Sequence, residues 1–434
     1  MNSYGWSRLT RRDKEAILRG VRDGSVHGGP FHVEIHPSSR CGLGCFFCST
    51  RSWRTREDLP LETINRLARE MRALGTRSVC LSGGGEPLSH PRILDVINIL
   101  TTSGVPVSHL TTNGQNLDGG VVDALIDARC DDVIVSLNCG DDRSYAAMMR
   151  TTPAMFSQVS SNIAALLERR RRRGVRRPAV ILQFLIYREN HQTVPAMYEH
   201  ARALGVDGVI FNGLSFLPSE MKMTPAETEV MAGHLETVML HDEYRGVLGI
   251  GSFEQDVSGM VEQIEARIGE ARNRLNRVER LRATLARRDF TLRNKWAHHW
   301  KMRRSVEIRR LLRDNVDPCI RPWYSMTVRS DGTVPVCCVR QERILADVRT
   351  SSVSEIWFGT GFARLRRAMG HAIRQGPSWP ADRAAESGVE GRCSAATSDA
   401  GHCPFRSSYF SHDLRFLHRL AVMAGSEGDA RSGA

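Results

Sequence analysis

Three cysteines stand within eight residues in Cys41-Gly-Leu-Gly-Cys45-Phe-Phe-Cys48, a run whose glycines let the chain turn sharply. Thiolates this close can converge on one metal centre. A structural zinc takes four protein ligands, and no fourth lies near in sequence. Iron–sulfur clusters also take cysteine thiolates. A [4Fe–4S] cube held by three of them leaves one iron open to a substrate or cofactor. A second group lies far downstream: Cys319, the pair Cys337-Cys338, then Cys393 and Cys403 in a Gly/Ser-rich stretch. Asp331-Gly332 is a hairpin turn signal between two strand-like runs, and a hairpin there would return Cys337 towards Cys319. Cys319, Cys337, Cys393 and Cys403 supply four thiolates, enough to close a second iron–sulfur or zinc centre.

The elements that must position the first cysteines alternate between strand and helix. Phe31–Ile35 reads as a short apolar strand ended by Pro37, Glu62–Leu74 as a helix and Ser78–Leu81 as a strand. Ile93–Thr101, Val121–Ala128, Met155–Arg173 and Val194–Leu204 read as helices. Val105–Leu110, Asp132–Leu137, Val180–Ile186 and Gly208–Phe211 read as strands. Six strand–helix repeats of this kind build a parallel sheet, and right-handed crossovers put every strand's C-terminal end on one face. The chemical motifs fall on those ends. Leu81-Ser-Gly-Gly-Gly-Glu86-Pro87 closes the second strand, Leu110-Thr-Thr-Asn-Gly114 the third and Val135-Ser136-Leu137-Asn138 the fourth.

With these motifs in order, the chain resembles the radical SAM superfamily. The resemblance implies an α/β fold, a partial (β/α)6 barrel over about Phe31–Phe211. It implies that Cys41, Cys45 and Cys48 bind three irons of a [4Fe–4S] cluster whose fourth iron is chelated by S-adenosyl-L-methionine. Gly83, Gly84 and Gly85 would let backbone polar groups approach the methionyl amine, and Glu86 would support that loop. Phe47 would lie beside the adenine. Ser136 would touch the ribose or carboxylate, or else simply cap the turn after its strand. The class cleaves SAM reductively to methionine and a 5′-deoxyadenosyl radical, which takes a hydrogen atom from an unreactive carbon. The protein positions the reactants and excludes water.

The opening of the second group, from Cys319 through Gly332 to Cys337, with Ser354-Glu-Ile-Trp357 beyond it, resembles the SPASM and twitch auxiliary-cluster domains. The wide spacing of Cys393 and Cys403 departs from a full SPASM pattern, so one auxiliary [4Fe–4S] cluster is expected, with Cys337 rather than Cys338 as ligand. Cys139, just past the fourth strand, is a candidate thiol for returning a hydrogen atom to a substrate radical, as in related epimerases; its bland reading is a small loop residue. Cys80 and Cys130 read as buried small hydrophobes.

The expected activity is oxidation or epimerisation of a small polar metabolite, such as a sugar or aminocyclitol in antibiotic or other specialised metabolism. A peptide or protein maturase is the alternative. An electron donor such as flavodoxin or ferredoxin is implied. Neither nucleic acid nor membrane is expected as a partner.

Composition narrows the classes. The 434 residues carry a formal net charge of +12, but 56 of the 60 basic residues are arginine, a coding habit rather than a nucleic-acid signal. No apolar run reaches the roughly 18 residues of a membrane span. Met1–Lys14 has no secretory apolar core, so the expectation is a cytoplasmic protein with reduced thiols. The expected divisions are an N-terminal extension (1–30), the barrel (31–215), a helical basic connecting segment (216–316), a cysteine-rich α+β auxiliary domain (317–424) and a disordered tail (425–434). Met260–Leu312 reads as a basic amphipathic helix, Arg169–Arg173 as a solvated helix end, and Asn190 and Asn212 as ligand contacts.

Overall fold

The computed structural model describes residues 6–51, 54–214, 221–240, 248–250, 320–337 and 343–375. Strands β1 (His32–Ile35), β2 (Ser78–Leu81), β3 (Val107–Thr112), β4 (Asp132–Ser136), β5 (Ala179–Ile186) and β6 (Gly208–Gly213) lie side by side in sequence order, all parallel. Helices α2 (Leu61–Ala73), α3 (Ile93–Thr102), α4 (Gly119–Asp127), α5 (Asp142–Met149), α6 (Pro153–Arg172) and α7 (Val194–Leu204) connect them. Helix α1 (Arg11–Asp23) precedes β1. Its N-terminus is a reciprocal capping box between Thr10 and Asp13, and Gly24 closes it at φ +72°.

The sheet is wider than six strands. Beyond β6, α8 (Pro225–Leu240) leads towards β7 (Leu248–Ile250), which pairs with β6. At the other edge β8 (Ser325–Val328) pairs in parallel with β1, His32 opposite Ser325. The order β7-β6-β5-β4-β3-β2-β1-β8 is a partial barrel with helices outside. Ser325–Val328 comes from the region read as auxiliary domain. The expected turn at Gly332 does form, at φ +80° with Gly332 N donating to Arg329 O. Its two flanks go to different sheets, however, because β9 (Thr333–Pro335) pairs antiparallel with β10 (Ile344–Asp347). Two helices follow, α9 (Val353–Phe358) and α10 (Thr360–Gln375), broken at Gly359. A Cβ at Gly359 would lie 2.3 Å from Glu355 O.

The reading of Phe31–Ile35 as an apolar run is corrected. His32 and Glu34 alternate with Val33 and Ile35, and all four are buried. Register places Glu34 beside Cys80, Cys80 beside His109 and His109 beside Asp132, on the sheet face that carries Ile134 and Ile181. That face is the barrel interior. It holds a polar belt, an isoleucine layer of Ile134, Ile181 and Ile210, and Ser136 with neighbouring Gln183 at the strand ends. The opposite face packs Val33, Ile35, Val79, Leu81, Leu110 and Val133 into the main core.

The N-terminal segment packs against the C-terminal one. Gly20 lets Trp323 approach so closely that a Cβ there would lie 2.5 Å from the indole. Trp357 Nε1 donates to Gly28 O at 2.8 Å, and Glu70 of α2 accepts Val353 N at the start of α9. The arginines ending α6 are ion-paired: Arg169 with Asp123, Arg170 with Asp207, Arg171 and Arg172 with Glu168, and Arg173 with Asp127.

Candidate active site

The cysteine loop follows β1 at the C-terminal rim. Its base is closed by Leu59 N to Pro37 O and Ser39 N to Glu57 O. Helix α5 carries its middle. The last carbonyls of a helix lack intrahelical donors, and here Met149 O accepts Gly44 N at 3.1 Å while Met148 O accepts Phe46 N at 3.3 Å. Cys41, Cys45 and Cys48 are each half-buried. Burial, then the neighbouring Cys41 and Cys48, pushes the Cys45 thiol up to about 12. Burial also raises Cys41, against the pull of Leu43 N. The three sulfurs therefore sense one another. Among the described residues, no group of three or more His, Cys, Asp or Glu is arranged around a single ion. A four-iron cluster takes one thiolate per iron, and three thiolates on one loop are a donor set for three of them.

The glycine loop follows β2. Gly84 N donates to His36 Nδ1 at 3.1 Å, and Gly84 O accepts from Arg54 Nε at 3.0 Å. The same guanidinium donates to Cys48 Sγ at 2.8 Å. Since His36 Nδ1 accepts, its proton sits on Nε2, which faces Glu34 Oε1 at 3.1 Å. Arg321 lies 3.7 Å from the other Glu34 oxygen. Burial alone would raise the Glu34 carboxyl, but His36 and Arg321 hold it down to about 2. A buried chain thus runs from Arg321 through Glu34 and His36 to Gly84. A Cβ on Gly85 would lie 2.4 Å from Ser39 C and 2.5 Å from Arg40 O, so only glycine fits. Glu86 accepts from Thr112 Oγ1, Asn113 N and Leu88 N at 2.6, 2.7 and 3.1 Å. The first two tie the glycine loop to the end of β3, and the third caps the turn that follows Glu86. Asn113 Nδ2 also lies 3.8 Å from Cys41 Sγ.

The other expected residues are spread around the same rim. Phe47 is half-buried and edge-on to Phe46, which in turn packs on Tyr187 at 5.2 Å. Ser136 ends β4 half-buried. Cys139 is almost wholly buried, its thiol 3.5 Å from Met148 Sδ and pushed by burial up to about 12. Asn190 is buried and spent on Tyr187 N and Leu185 O, a loop support rather than a contact surface. Asn212 is half-buried on β6. Cys80 and Cys130 are buried, as small hydrophobes are. Cys337 is half-buried just past β9. Cys319, Cys338, Cys393, Cys403 and the Met260–Leu312 helix lie outside the described residues. Sequence reasoning missed His36, Arg54 and Tyr145. The alternation Glu34-Ile35-His36 was the signal for the first; Arg54 and Tyr145 stand in no pattern.

Comparison with known proteins bears on this rim. Residues 35–201 match the family model of the radical SAM superfamily. The chain carries a radical SAM domain. Residues 319–378 match the model of SPASM, an iron–sulfur cluster-binding domain. These domains bring a SAM-binding [4Fe–4S] cluster and an auxiliary cluster. Among curated proteins it is 31% identical over 179 residues to a GTP 3′,8-cyclase of Marinobacter nauticus, covering 41% of this chain and 52% of that one. It is 30% identical over 182 residues to a PqqA peptide cyclase of Gluconobacter oxydans, covering 42% and 48%. The chain spans about half the length of these relatives. Among solved structures it shares the fold of Streptococcus suis SuiB bound to the precursor peptide SuiA, with TM-score 0.54 and 15% identity over 82% of this chain and 70% of that one. It also shares the fold of native anSMEcpe with bound AdoMet, with TM-score 0.53 and 14% identity over 92% and 100%. Among the described residues no helix is long and apolar enough to cross a membrane.

Proposed function

We propose that this radical SAM chain cleaves S-adenosylmethionine reductively and oxidises a small polar metabolite, a sugar or aminocyclitol, at an alcohol carbon. The observation that carries the reading is the rim itself. Arg54 and His36 tie the cysteine loop and the glycine loop together, over a barrel mouth whose inward residues Ser136 and Gln183 are polar. When bound, SAM on its cluster would supply the hydrogen-atom acceptor and the auxiliary cluster an electron acceptor, with the alcohol proton released to water. The chain's own residues bind and orient. Cys41, Cys45 and Cys48 would each hold an iron, and Cys319, Cys337, Cys393 and Cys403 one auxiliary [4Fe–4S] cluster. Gly83, Gly84 and Gly85 would bring backbone polar atoms to the methionyl amine, with Glu86 fixing their loop. Phe47 would flank the adenine and Ser136 would reach the ribose or carboxylate. A flavodoxin or ferredoxin in the cytoplasm is the proposed electron source.

A peptide substrate is the second reading, favoured by the similarity to a PqqA peptide cyclase. The test incubates anaerobic enzyme, SAM and dithionite in deuterated water with aminocyclitols, sugars or short peptides. The proposal expects an aminocyclitol or sugar to stimulate 5′-deoxyadenosine formation and yield a ketone with no solvent deuterium on carbon. Stimulation by peptides alone supports the second reading. One deuterium with an inverted stereocentre, lost in Cys139→Ala, makes the enzyme an epimerase with Cys139 as hydrogen donor.

A further inference from the structure

The Tyr145 hydroxyl is buried and has no hydrogen-bond partner among the described residues. A buried polar atom left in that state calls for an explanation, and a bound group that accepts from it is one. The place of Tyr145 supplies it. The residue lies on α5, whose final carbonyls hold Gly44 and Phe46 of the cysteine loop. Met148 and Met149 follow it by three and four positions, so the phenol shares their helix face. Met149 Sδ is 3.7 Å from Cys45 Sγ, and Met148 Sδ is 3.5 Å from Cys139 Sγ. Phe156 packs against the ring at 5.6 Å and fixes it.

The electrostatics agree with this placement. Burial first, then the charges of Cys45, Cys139, Cys41 and Glu86, raise the phenol's ionisation. The group is a protonated donor at any working pH. Glu86 is not the acceptor, because the Tyr145 hydroxyl makes no hydrogen bond to it and the Glu86 carboxylate is turned to Thr112, Asn113 and Leu88.

We infer that Tyr145 donates its hydroxyl hydrogen bond to a sulfur of the four-iron cluster at the Cys45 corner and thereby raises that cluster's reduction potential. The inference rests on the cluster assignment proposed above. Reduction adds negative charge to the cluster, and a hydrogen bond to sulfur stabilises the more negative state. A tyrosine on a helix that also anchors the loop sets this donor rigidly.

The test compares anaerobically reconstituted wild type with Tyr145→Phe, both at full iron and sulfide content. Each is titrated electrochemically while following the EPR signal that changes on adding SAM. In Tyr145→Phe the SAM-responsive couple should show a reduced-to-oxidised ratio about tenfold lower at a given potential, a shift of about 59 mV for one electron. The auxiliary signal should keep its potential. An unchanged SAM-responsive couple overturns the inference. Thermal melting of the loaded proteins is the second measurement. Deleting a hydroxyl that donates to the cluster lowers Tm, whereas deleting a true orphan raises it, so a raised Tm also overturns the inference. If wild type itself shows no SAM-responsive signal, the cluster assignment fails first, and that result is distinguishable from the other two.

Discussion

His32 is fully buried at the start of β1, its Nδ1 2.8 Å from Ser78 Oγ. Burial first, and Arg321 next, lowers its pKa from 6.5 to about 3. The folded chain therefore keeps His32 neutral over a window in which the unfolded chain protonates it. Stability then falls as pH drops below 6.5 towards 3, with a slope approaching about 1.4 kcal/mol per pH unit. Glu34 acts with the opposite shift. Its stabilisation is present above 4.5 and is lost as pH falls through about 2, below the useful range. His109, raised by Asp132 against the effect of burial, loses its contribution only as pH climbs above 6.5. Urea melts at pH 6.5 and 5.5 should show wild type losing about 1 kcal/mol more than His32→Asn. Equal losses would mean that His32 is protonated in the fold.

At the scale of elements, the two rim loops depend on close approaches that a larger residue would block. Gly85→Ala pushes a methyl into the Ser39 and Arg40 backbone, which cannot swing aside as a flexible side chain could. The expected cost is about 1–3 kcal/mol, read from thermal melts. His36→Ala should weaken SAM binding about tenfold while iron content stays constant, because one buried hydrogen bond to Gly84 is lost. Unchanged affinity would mean that Gly84 holds its place without His36. The strands from β2 to β6 were legible within a few residues because buried parallel strands read as apolar runs between turn signals. Helix α5 was not legible: its eight residues mix Asp, Arg and Ser with methionines, and its role is to end under the cysteine loop. The fate of β8 was not legible either. A turn signal tells where the chain reverses, not which sheet each flank joins, and β1 captures Ser325–Val328 from the far end of the sequence. Every residue the motifs named on the described rim could be placed. What the motifs did not name were the supports: Arg54 and Tyr145 stand in no pattern, and His36 shows only in the Glu34-Ile35-His36 alternation.

Over the whole molecule, that same strand joins the two ends of the chain. Trp323, Tyr324 and Trp357 are fully buried where β8, α1 and the C-terminal helices meet. Each is worth about 1.5–3 kcal/mol of burial, and together they are a large part of the about 5–15 kcal/mol that stabilises a domain. Residues 1–316 expressed alone should therefore fail to fold, leaving the polar edge of β1 without its neighbour. Circular dichroism and solubility measure this. A stable, helical 1–316 fragment would show that the barrel does not need β8. The central claim is that the Cys41, Cys45 and Cys48 loop holds the cluster that cleaves SAM. It is tested most directly by assaying 5′-deoxyadenosine under dithionite in wild type and in the variant with all three cysteines changed to alanine. Wild type should form 5′-deoxyadenosine and hold about eight irons, as two [4Fe–4S] clusters require. The triple variant should retain about four and form none; 5′-deoxyadenosine from the variant would contradict the account.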